Sequence, residues 1–219
     1  MMSNENKRFL ATRMLRYLEI HTQNPQARLI QQAVDAVRAG AVLVYPTDSG
    51  YALGCHLGDK DAVDRIRALR ELDDKHNLTL VCRDLSEIAT YAQVDNQAYR
   101  LLKSLTPGAY TFILDATREV PRRLQHPKRK TIGIRVPGHP IVDALLDNLG
   151  EPLISTTLQM PGDEQPLTDP QEIKERLRNL VDVIIDGGVG SSEPTTILDL
   201  TGPTPLVVRK GRGATSLFE

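Results

Sequence analysis

The sequence predicts a single α/β domain built on a mixed sheet, one that contains parallel and antiparallel strands. Short apolar runs rich in β-branched residues alternate with segments in which apolar residues recur every three or four positions. Several predicted strands follow one another with no helix between them, which calls for both kinds of pairing. The chain has 219 residues, enough for one sizeable domain without requiring two.

The first half of the chain predicts helices and strands in alternation. Ile30, Ala33, Val34 and Val37 lie at helical spacing, and Gly40 follows where a C-terminal cap belongs. The apolar run 41–45 predicts a buried strand that ends at Pro46. The same reasoning predicts strands at 51–57, 78–82 and 110–114, a helix marked by Val63, Ile66 and Leu69, and helices at 84–91 and 95–105.

The residue pattern of the second half of the chain predicts more strands than helices. Residues 116–130 carry charge without periodicity and are interpreted as a surface loop. Gly150 closes one predicted helix, and Asp169 with Pro170 opens another, as an N-cap followed by proline at the first helical position. The predicted strands are 131–136, 153–157, 181–185, 196–200 and 205–209, and the two helices are 140–149 and the one after Asp169.

The ends and the cysteines indicate an intracellular protein. Residues 1–24 are polar or weakly amphipathic and are assigned to a peripheral N-terminal extension, with residues 25–219 forming the domain. Cys55 and Cys82 lie inside apolar segments and are interpreted as reduced, buried thiols. No signal peptide is recognised and no run approaches the roughly 20 apolar residues of a membrane span, so we expect a cytoplasmic location without membrane contact.

Composition and missing motifs exclude several kinds of site. The net charge is −1, so polyanion binding would need a local cluster of positive charge. The sequence contains no GxxxxGK[ST] phosphate loop, no GxGxxG, no GxSxG and no HExxH. We therefore expect no protein-bound metal and no triad hydrolase, while Mg²⁺ that arrives with a nucleotide stays compatible with the sequence.

Polar residues at strand ends are the candidates for ligand contacts. Thr47, Asp48 and Ser49 follow the first buried strand, where they indicate either a ligand loop or a plain turn. Arg135 lies inside an apolar strand, where it must meet an acid or an anionic ligand. Further candidates are the turn 106–111, the hydroxyls of 155–157 and the glycine-rich segment 186–192, a possible anion nest.

In series, these segments resemble the YrdC/TsaC/YciO family. The matching stretches are YPTD and the following Y.LG at 45–54, PG..T at 107–111, T.G.R.P at 131–137, the hydroxyl cluster at 155–157, and the closing Thr196, Asp199, Arg209 and Gly211. The resemblance runs from about residue 28 to 211. It implies a twisted YrdC/RibB-like sheet with a basic concave surface, ATP binding, and association with double-stranded RNA or tRNA.

The family's synthase members imply an activity for this chain. They make L-threonylcarbamoyladenylate from L-threonine, bicarbonate and ATP, a nucleotidyl transfer that serves the t6A modification of tRNA. Carried over by motif, the substrate-binding residues are Thr47, Tyr51, Arg135 and Thr195, and the nucleotide-binding residues are Arg70, Thr111, Ser155, Thr157 and Arg209. No residue is assigned a catalytic role.

Two departures bring the chain closest to the YciO branch of the family. A KxR pair of the synthases falls on Arg70-Glu71-Leu72 with a later lysine on His76, and an SxN falls on Thr157-Leu158-Gln159. Loss of charge-assisted contacts weakens a triphosphate site. The alternatives are a non-catalytic double-stranded RNA or tRNA binder and an enzyme for another carbamoyl or acyl adenylate. The residues expected to contact RNA are Arg122, Arg123, Lys128, Arg129 and Lys130.

Overall fold

The computed structural model describes residues 14–73, 76 and 78–218. Within these ranges the strands are β1 (Arg16–Glu19), β2 (Leu43–Thr47), β3 (Gly50–His56), β4 (Thr79–Val81), β5 (Tyr110–Asp115), β6 (Thr131–Arg135), β7 (Leu153–Thr157), β8 (Val183–Asp186), β9 (Thr196–Asp199) and β10 (Leu206–Arg209). The helices are α1 (Ala27–Arg38), α2 (Lys60–Arg70), α3 (Leu85–Tyr91), α4 (Asn96–Leu105), α5 (Pro140–Leu149) and α6 (Pro170–Leu177), with a 3-10 turn at Arg122–Leu124. The predicted order of elements is confirmed from α1 onward.

Side chains at the helix ends explain where several helices begin and end. Asp59 accepts a hydrogen bond from the third residue of α2, and Asp169 caps α6 in the same way ahead of Pro170. Gly150 follows α5 in the left-handed region, with φ of +75°. These are the start and stop signals that the sequence predicts.

All ten strands belong to one mixed sheet in the order β1–β8–β2–β3–β7–β4–β6–β5–β9–β10. Four neighbouring pairs are parallel, namely β1 with β8, β2 with β8, β4 with β6, and β5 with β9. The remaining five neighbouring pairs are antiparallel. The predicted single-domain α/β fold with a mixed sheet is confirmed.

Helices cover the two faces of the sheet unequally. The helices α2, α3, α4 and α6 pack on one face through buried residues that include Ile66, Ile88, Leu102 and Ile173. The other face is covered by α1 and α5, whose buried side chains pack with Leu43, Ala52, Leu153 and Val183 of the strands. Among the described residues, no side chain of β5, β6, β9 or β10 joins this second cluster.

The face of β4, β6, β5 and β9 that lies beyond α1 and α5 is called the open face below. Its side chains are fixed by alternation along each strand. Ile132 and Ile134 belong to the core on the far side, so Thr131, Gly133 and Arg135 point to the open face. The open face therefore carries short polar side chains and one arginine where the rest of the sheet carries apolar ones.

The segment assigned to a peripheral extension contributes an edge strand. Strand β1 pairs in parallel with β8, from Arg16 opposite Val183 to Glu19 opposite Asp186. Leu18 and Ile20 are buried against the α1 side of the sheet. Residues 1–13 lie outside the described ranges, and the domain boundary at residue 24 stays a prediction.

Candidate functional site

The structure brings most of the predicted binding residues to the open face or to its border. The pairing of Phe112 with Ile134 places Thr111 beside Arg135 on neighbouring strands. Gly133 lies next to both and leaves no room for a side chain, since a Cβ there would lie 3.1 Å from Thr79 Oγ1 and 3.5 Å from Thr111 Cγ2. Hydroxyl groups and one guanidinium therefore lie close together on the open face.

Arg135 is the most informative of these residues. It is 7% exposed, forms an ion pair with Asp48, and its Nη2 donates to Thr47 Oγ1 at 3.3 Å. The second carboxylate oxygen of Asp48 accepts the Gly138 N–H at 2.9 Å. The Nε of Arg135 is buried and has no hydrogen-bond partner in the described structure. A buried guanidinium is thus held in place at one side and left with unused donor capacity.

The hydroxyl of Thr47 stabilises the turn that joins β2 to β3. Its hydroxyl donates to Gly50 O at 2.6 Å and accepts the Ser49 N–H at 3.2 Å. This is the hydrogen-bonded turn that the sequence allows as the plain alternative, yet the same oxygen also contacts Arg135. The plain turn is therefore observed, and a role of this turn in ligand binding stays a prediction.

Ser155 lies at the centre of a buried hydroxyl chain. The Tyr45 hydroxyl reaches across β3 and donates to Ser155 Oγ at 2.8 Å, and Ser155 Oγ donates to Leu53 O at 3.0 Å. The Tyr45 ring passes over Gly54, where a Cβ would lie 2.8 Å from Tyr45 Cε1. Burial raises the pKa of Tyr45 to about 12, so its hydroxyl stays a donor. Thr157 lies half-buried at the end of the same strand.

Thr111, Thr195 and Arg209 form a second group beside Arg135. The two threonine hydroxyls are 2.9 Å apart. Arg209 Nη2 donates to Thr195 O at 2.9 Å and to Thr195 Oγ1 at 3.3 Å. Desolvation lowers the pKa of Arg209, which nevertheless stays a cation at any physiological pH.

Arg70 and His76 lie in the same neighbourhood, within electrostatic range of Arg209. Partial burial, and then the charge of Arg70, lowers the pKa of His76, and Arg209 acts in the same direction. Arg70 Nε is buried without a hydrogen-bond partner in the described structure. The predicted nucleotide-binding arginines are therefore close enough to act on one group.

Tyr51 does not point to the open face. Its ring is 1% exposed and belongs to the core on the opposite side of the sheet. Its hydroxyl donates to Gly188 O at 2.7 Å and accepts the Gly187 N–H at 3.1 Å. A direct contact between Tyr51 and substrate stays a prediction, and the observed role of its hydroxyl is to hold the glycine-rich segment.

The two departures from the synthase pattern have visible consequences. Leu72 packs as a partly buried residue against the core. Gln159 donates from Nε2 to Asp163 O at 2.9 Å, within its own loop. Leu72 supplies no cation in place of the synthase arginine, and the Gln159 amide is used within its own loop.

The predicted RNA-binding loop is partly engaged with the protein itself. Arg123 donates to the carbonyl oxygens of Leu57 and Gly58, and Arg129 pairs with Asp199 at 3.0 Å. Lys130 donates to a carbonyl of its own loop. In the described part of the chain, Arg122 and Lys128 have no side-chain partner of this kind, so these two are the better candidates for phosphate contacts.

Asp48 is a strand-end candidate that is absent from the residues assigned to substrate or nucleotide binding, and it is the ion-pair partner of Arg135. It follows Thr47 directly in the YPTD stretch, and its charge beside a strand end was the available signal. The ion pair with Arg135 appears only in three dimensions, because 87 residues separate the two along the chain. A cavity of about 350 Å³ between α4 and the loop after β9 contains none of the predicted residues.

The described residues include neither a metal-binding cluster nor a membrane-spanning helix. No three His, Cys, Asp or Glu side chains are grouped so that they could hold a metal ion. None of the helices combines the length and the apolar character needed to cross a bilayer.

Comparison with known proteins connects this geometry to named relatives. The Sua5_yciO_yrdC family model, described as "Telomere recombination", matches residues 35–211. The protein YciO of Escherichia coli K12 is 59% identical over 205 residues, which are 94% of this chain and all of that one. Its crystal structure superposes with a TM-score of 0.91 over the same shares of the two chains.

More distant relatives carry a named activity. A threonylcarbamoyl-AMP synthase of Coxiella burnetii is 31% identical over 178 residues, covering 79% of this chain and 94% of the synthase. The crystal structure of Sua5 from P. abyssi in complex with L-threonine matches the fold with a TM-score of 0.81 at 24% identity, over 90% of this chain and 57% of that one. Motifs, fold and sequence identity agree: the chain is a member of the Sua5/YciO/YrdC family.

Proposed function

We propose that the protein binds ATP and L-threonine on the open face and, with bicarbonate, forms threonylcarbamoyl-AMP for the t6A modification of tRNA. The observation that carries the proposal is Arg135, a buried guanidinium with unused donor capacity beside Thr47 and Thr111. Asp48 already balances the charge of Arg135, and the donors that Asp48 and Thr47 do not use would bind the carboxylate of an amino acid or of its carbamate. The Coxiella relative with the synthase name supports this choice of reaction.

The proposed reaction balances without any further reactant. The threonine amine nitrogen attacks the carbon derived from bicarbonate, water leaves, and a carbamate forms. A carbamate oxygen then attacks the α-phosphorus of ATP, and the bond to the bridging oxygen breaks to release pyrophosphate. The protein is asked for positioning and for neutralisation of charge, since no covalent intermediate with the chain is needed.

The second group supplies the contacts for phosphate. Arg209 is oriented by two hydrogen bonds from Nη2 to Thr195, which leaves Nη1 for a ligand. Arg70 and His76 lie within electrostatic range of each other, and Arg209 acts on the same imidazole. We expect these three groups, which carry or accept positive charge, to lie beside the leaving pyrophosphate.

Mg²⁺ would accompany ATP in this proposal. It would be held through phosphate oxygens and water, the usual arrangement for this ion at nucleotide sites. Bound there, it would neutralise charge on the leaving pyrophosphate. Thr111 and Thr195 would orient the nucleotide by accepting or donating hydrogen bonds through their hydroxyls, which are 2.9 Å apart.

The departures predict a slower enzyme than the synthases. Leu72 contributes apolar packing where the synthases have a cation, and the Gln159 amide is used inside its loop. Each charge-assisted contact that is lost from a transition state removes about tenfold to several-hundredfold in rate. We therefore expect turnover that is detectable at high enzyme concentration.

The deciding experiment is a product assay. The protein is incubated with ATP, Mg²⁺, L-threonine and bicarbonate, and threonylcarbamoyl-AMP and pyrophosphate are quantified by chromatography and mass spectrometry. The variants are Thr47→Val and Arg209→Ala, which remove a hydroxyl from one group and a cation from the other. Tyr99→Phe, on the exposed side of α4, is the matched control.

The outcomes separate the hypotheses. Product that is lost in both site variants and kept in the control supports the proposal. No product at enzyme concentrations near that of the substrate overturns it. Pyrophosphate release that does not depend on threonine favours an enzyme for another carbamoyl or acyl adenylate.

RNA binding is the second candidate, carried by the exposed side chains of Arg122 and Lys128. Since three of the five predicted contacts are used within the protein, we propose a weak interaction through backbone phosphates.

A further inference from the structure

The glycine-rich segment 187–191 lies directly against the turn that carries Thr47 and Asp48. Gly50, with φ of +113°, has no room for a side chain, because a Cβ would lie 2.3 Å from Ser191 O. A Cβ on Gly187 would lie 2.7 Å from Pro46 Cγ. The two segments are therefore in backbone contact, and a shift of one would displace the other. We call residues 187–191 the glycine loop.

The glycine loop also leads into the second group of the open face. Beyond the end of the loop, Pro194 and Thr195 lie against Gly211. A Cβ on Gly211 would lie 2.3 Å from Pro194 O. Arg212 Nη1 donates to Ser191 Oγ at 3.4 Å. The loop thus begins directly after β8, and residues 192–194 connect it to Thr195 of the second group.

The loop is held on its core side by Tyr51. One tyrosine hydroxyl donates to Gly188 O at 2.7 Å and accepts the Gly187 N–H at 3.1 Å. The Gly190 N–H donates to Thr168 O at 2.9 Å. These contacts satisfy two backbone N–H groups of a segment that belongs to no helix or strand.

The loop is held on its outer side by β1 and the residues after it. Tyr17 donates from its hydroxyl to Asp186 Oδ2 at 2.5 Å, and Asp186 Oδ1 accepts the Gly188 N–H at 2.8 Å. Thr22 Oγ1 donates to Gly187 O at 2.9 Å. Gln171 Nε2 donates to the Tyr17 hydroxyl at 3.0 Å. A single carboxylate therefore joins the edge strand to the loop.

Two features keep Tyr17 in this geometry. Burial of the phenol, and then its hydrogen bond to Asp186, raises the pKa of Tyr17 well above its usual value, so the hydroxyl remains a donor. Lys174 Nζ lies 4.3 Å from the centre of the ring, within range of a cation–π interaction. The N-terminal strand is thus anchored to α6 as well as to the loop.

We propose that Tyr17 and Thr22 are positioning residues, through which the N-terminal strand fixes the glycine loop and, through the loop, the turn of Thr47 and Asp48. The part of this proposal that concerns ligand affinity rests on the proposed function. A segment that the sequence marks as peripheral would then act on the binding site without contacting the ligand. Loosening it would weaken threonine binding while leaving the chemical step of bound substrate nearly unchanged.

The test uses Tyr17→Phe and Thr22→Val in the full chain, with Tyr99→Phe as the matched control. Amide hydrogen exchange is measured on the ligand-free protein at Gly187, Gly188 and Gly190, with the β5–β6 ladder as the internal reference. We expect exchange of the loop amides about three- to tenfold faster in both variants, with the ladder unchanged. We expect the dissociation constant or KM of L-threonine to rise by about the same factor, with kcat changed less than about twofold.

Amide exchange of the loop and threonine binding test separate parts of the proposal. Unchanged exchange of the loop amides in Tyr17→Phe and Thr22→Val overturns the proposal, whatever the ligand data show. Exchange that accelerates equally in the ladder shows a general loss of stability and overturns it as well. If the loop amides respond and threonine binding does not, the positioning role is wrong. If the wild type binds no threonine, the proposed function fails, and the exchange data still decide whether β1 holds the loop.

Discussion

Arg135 at the end of β6 forms an ion pair with Asp48, the residue that follows β2, although three other strands lie between β2 and β6 in the sheet. Neighbouring strands lie about 4.8 Å apart, so a flat sheet would separate β2 from β6 by roughly 19 Å. The contact therefore requires a sheet that curls strongly around the open face. The ion pair links the ends of β2 and β6 across the curved sheet, and it places a buried guanidinium on the open face.

The first prediction concerns this pair. Arg135→Met leaves the Asp48 carboxylate partly buried without its partner, and we expect the free energy of unfolding to fall by about 3 kcal/mol. The double variant Asp48→Asn, Arg135→Met should recover part of that loss, because no uncompensated charge remains. Urea unfolding of the single and double variants measures both values. A double variant whose loss equals the sum of the two singles would show that the two side chains are not coupled.

The second prediction concerns Gly50. Its φ of +113° and the nearby Ser191 O make Gly50→Ala both strained and sterically blocked. We expect a loss of stability of about 3 kcal/mol and displacement of the glycine loop. The control is Gly162→Ala, because Gly162 has φ of +83° with nothing within 4 Å of a Cβ. Equal losses in the two variants, measured by urea unfolding, would refute the close contact with Ser191.

The third prediction concerns pH. Partial burial and the charge of Arg70 lower the pKa of His76 in the free protein, so His76 is mostly neutral at pH 7. A bound polyphosphate would raise that pKa, so binding would take up a proton, and ATP affinity should rise as the pH falls below about 6.5. In His76→Gln this rise should disappear.

The γ-phosphate of ATP itself titrates near the same pH, so the informative quantity is the difference between wild type and His76→Gln at each pH. Isothermal titration calorimetry in two buffers of different ionisation enthalpy gives the proton uptake directly. Identical uptake in the two proteins would show that His76 does not face the phosphates.

The fourth prediction concerns the basic loop. Arg122→Glu and Lys128→Glu should each weaken the binding of a double-stranded RNA and reduce its salt dependence by about one released counterion. The control is Lys103→Glu, an exposed lysine in the last turn of α4. Binding that is insensitive to salt, or a control as damaged as the loop variants, would contradict an interaction through this loop.

Much of the secondary structure and part of the site could be predicted from local pattern. Asp169 with Pro170 begins α6 and Gly150 ends α5 as expected, since a cap depends on contacts within four residues. Thr47, Arg135 and Ser155 could be singled out because hydroxyls and a guanidinium in or beside apolar strands are chemically conspicuous, whereas Thr111 and Thr195 are assigned through the family resemblance. Their grouping in space could not be derived from local pattern.

Tyr51 shows where that limit lies. Its place in the YPTD…Y stretch suggests that it shares the site of Thr47, yet its ring packs on the opposite face of the sheet. The turn between β2 and β3 decides this, because Pro46 pairs with Tyr51 while Thr47 pairs with Gly50. Strand register follows from backbone pairing across the hairpin, and a shift of one residue would exchange the two faces.

The sequence by itself determined the fold class, the order of elements from α1 onward, the family resemblance and the set of polar groups at the strand ends. All of these depend on local periodicity, on caps and on motifs that are contiguous along the chain. Only the tertiary structure decided that Asp48 pairs with Arg135, that Arg209 acts on His76, and that Tyr17 and Thr22 contact Asp186 and the glycine loop. These contacts join residues far apart along the chain, and they arise from the order, the register and the curvature of the sheet.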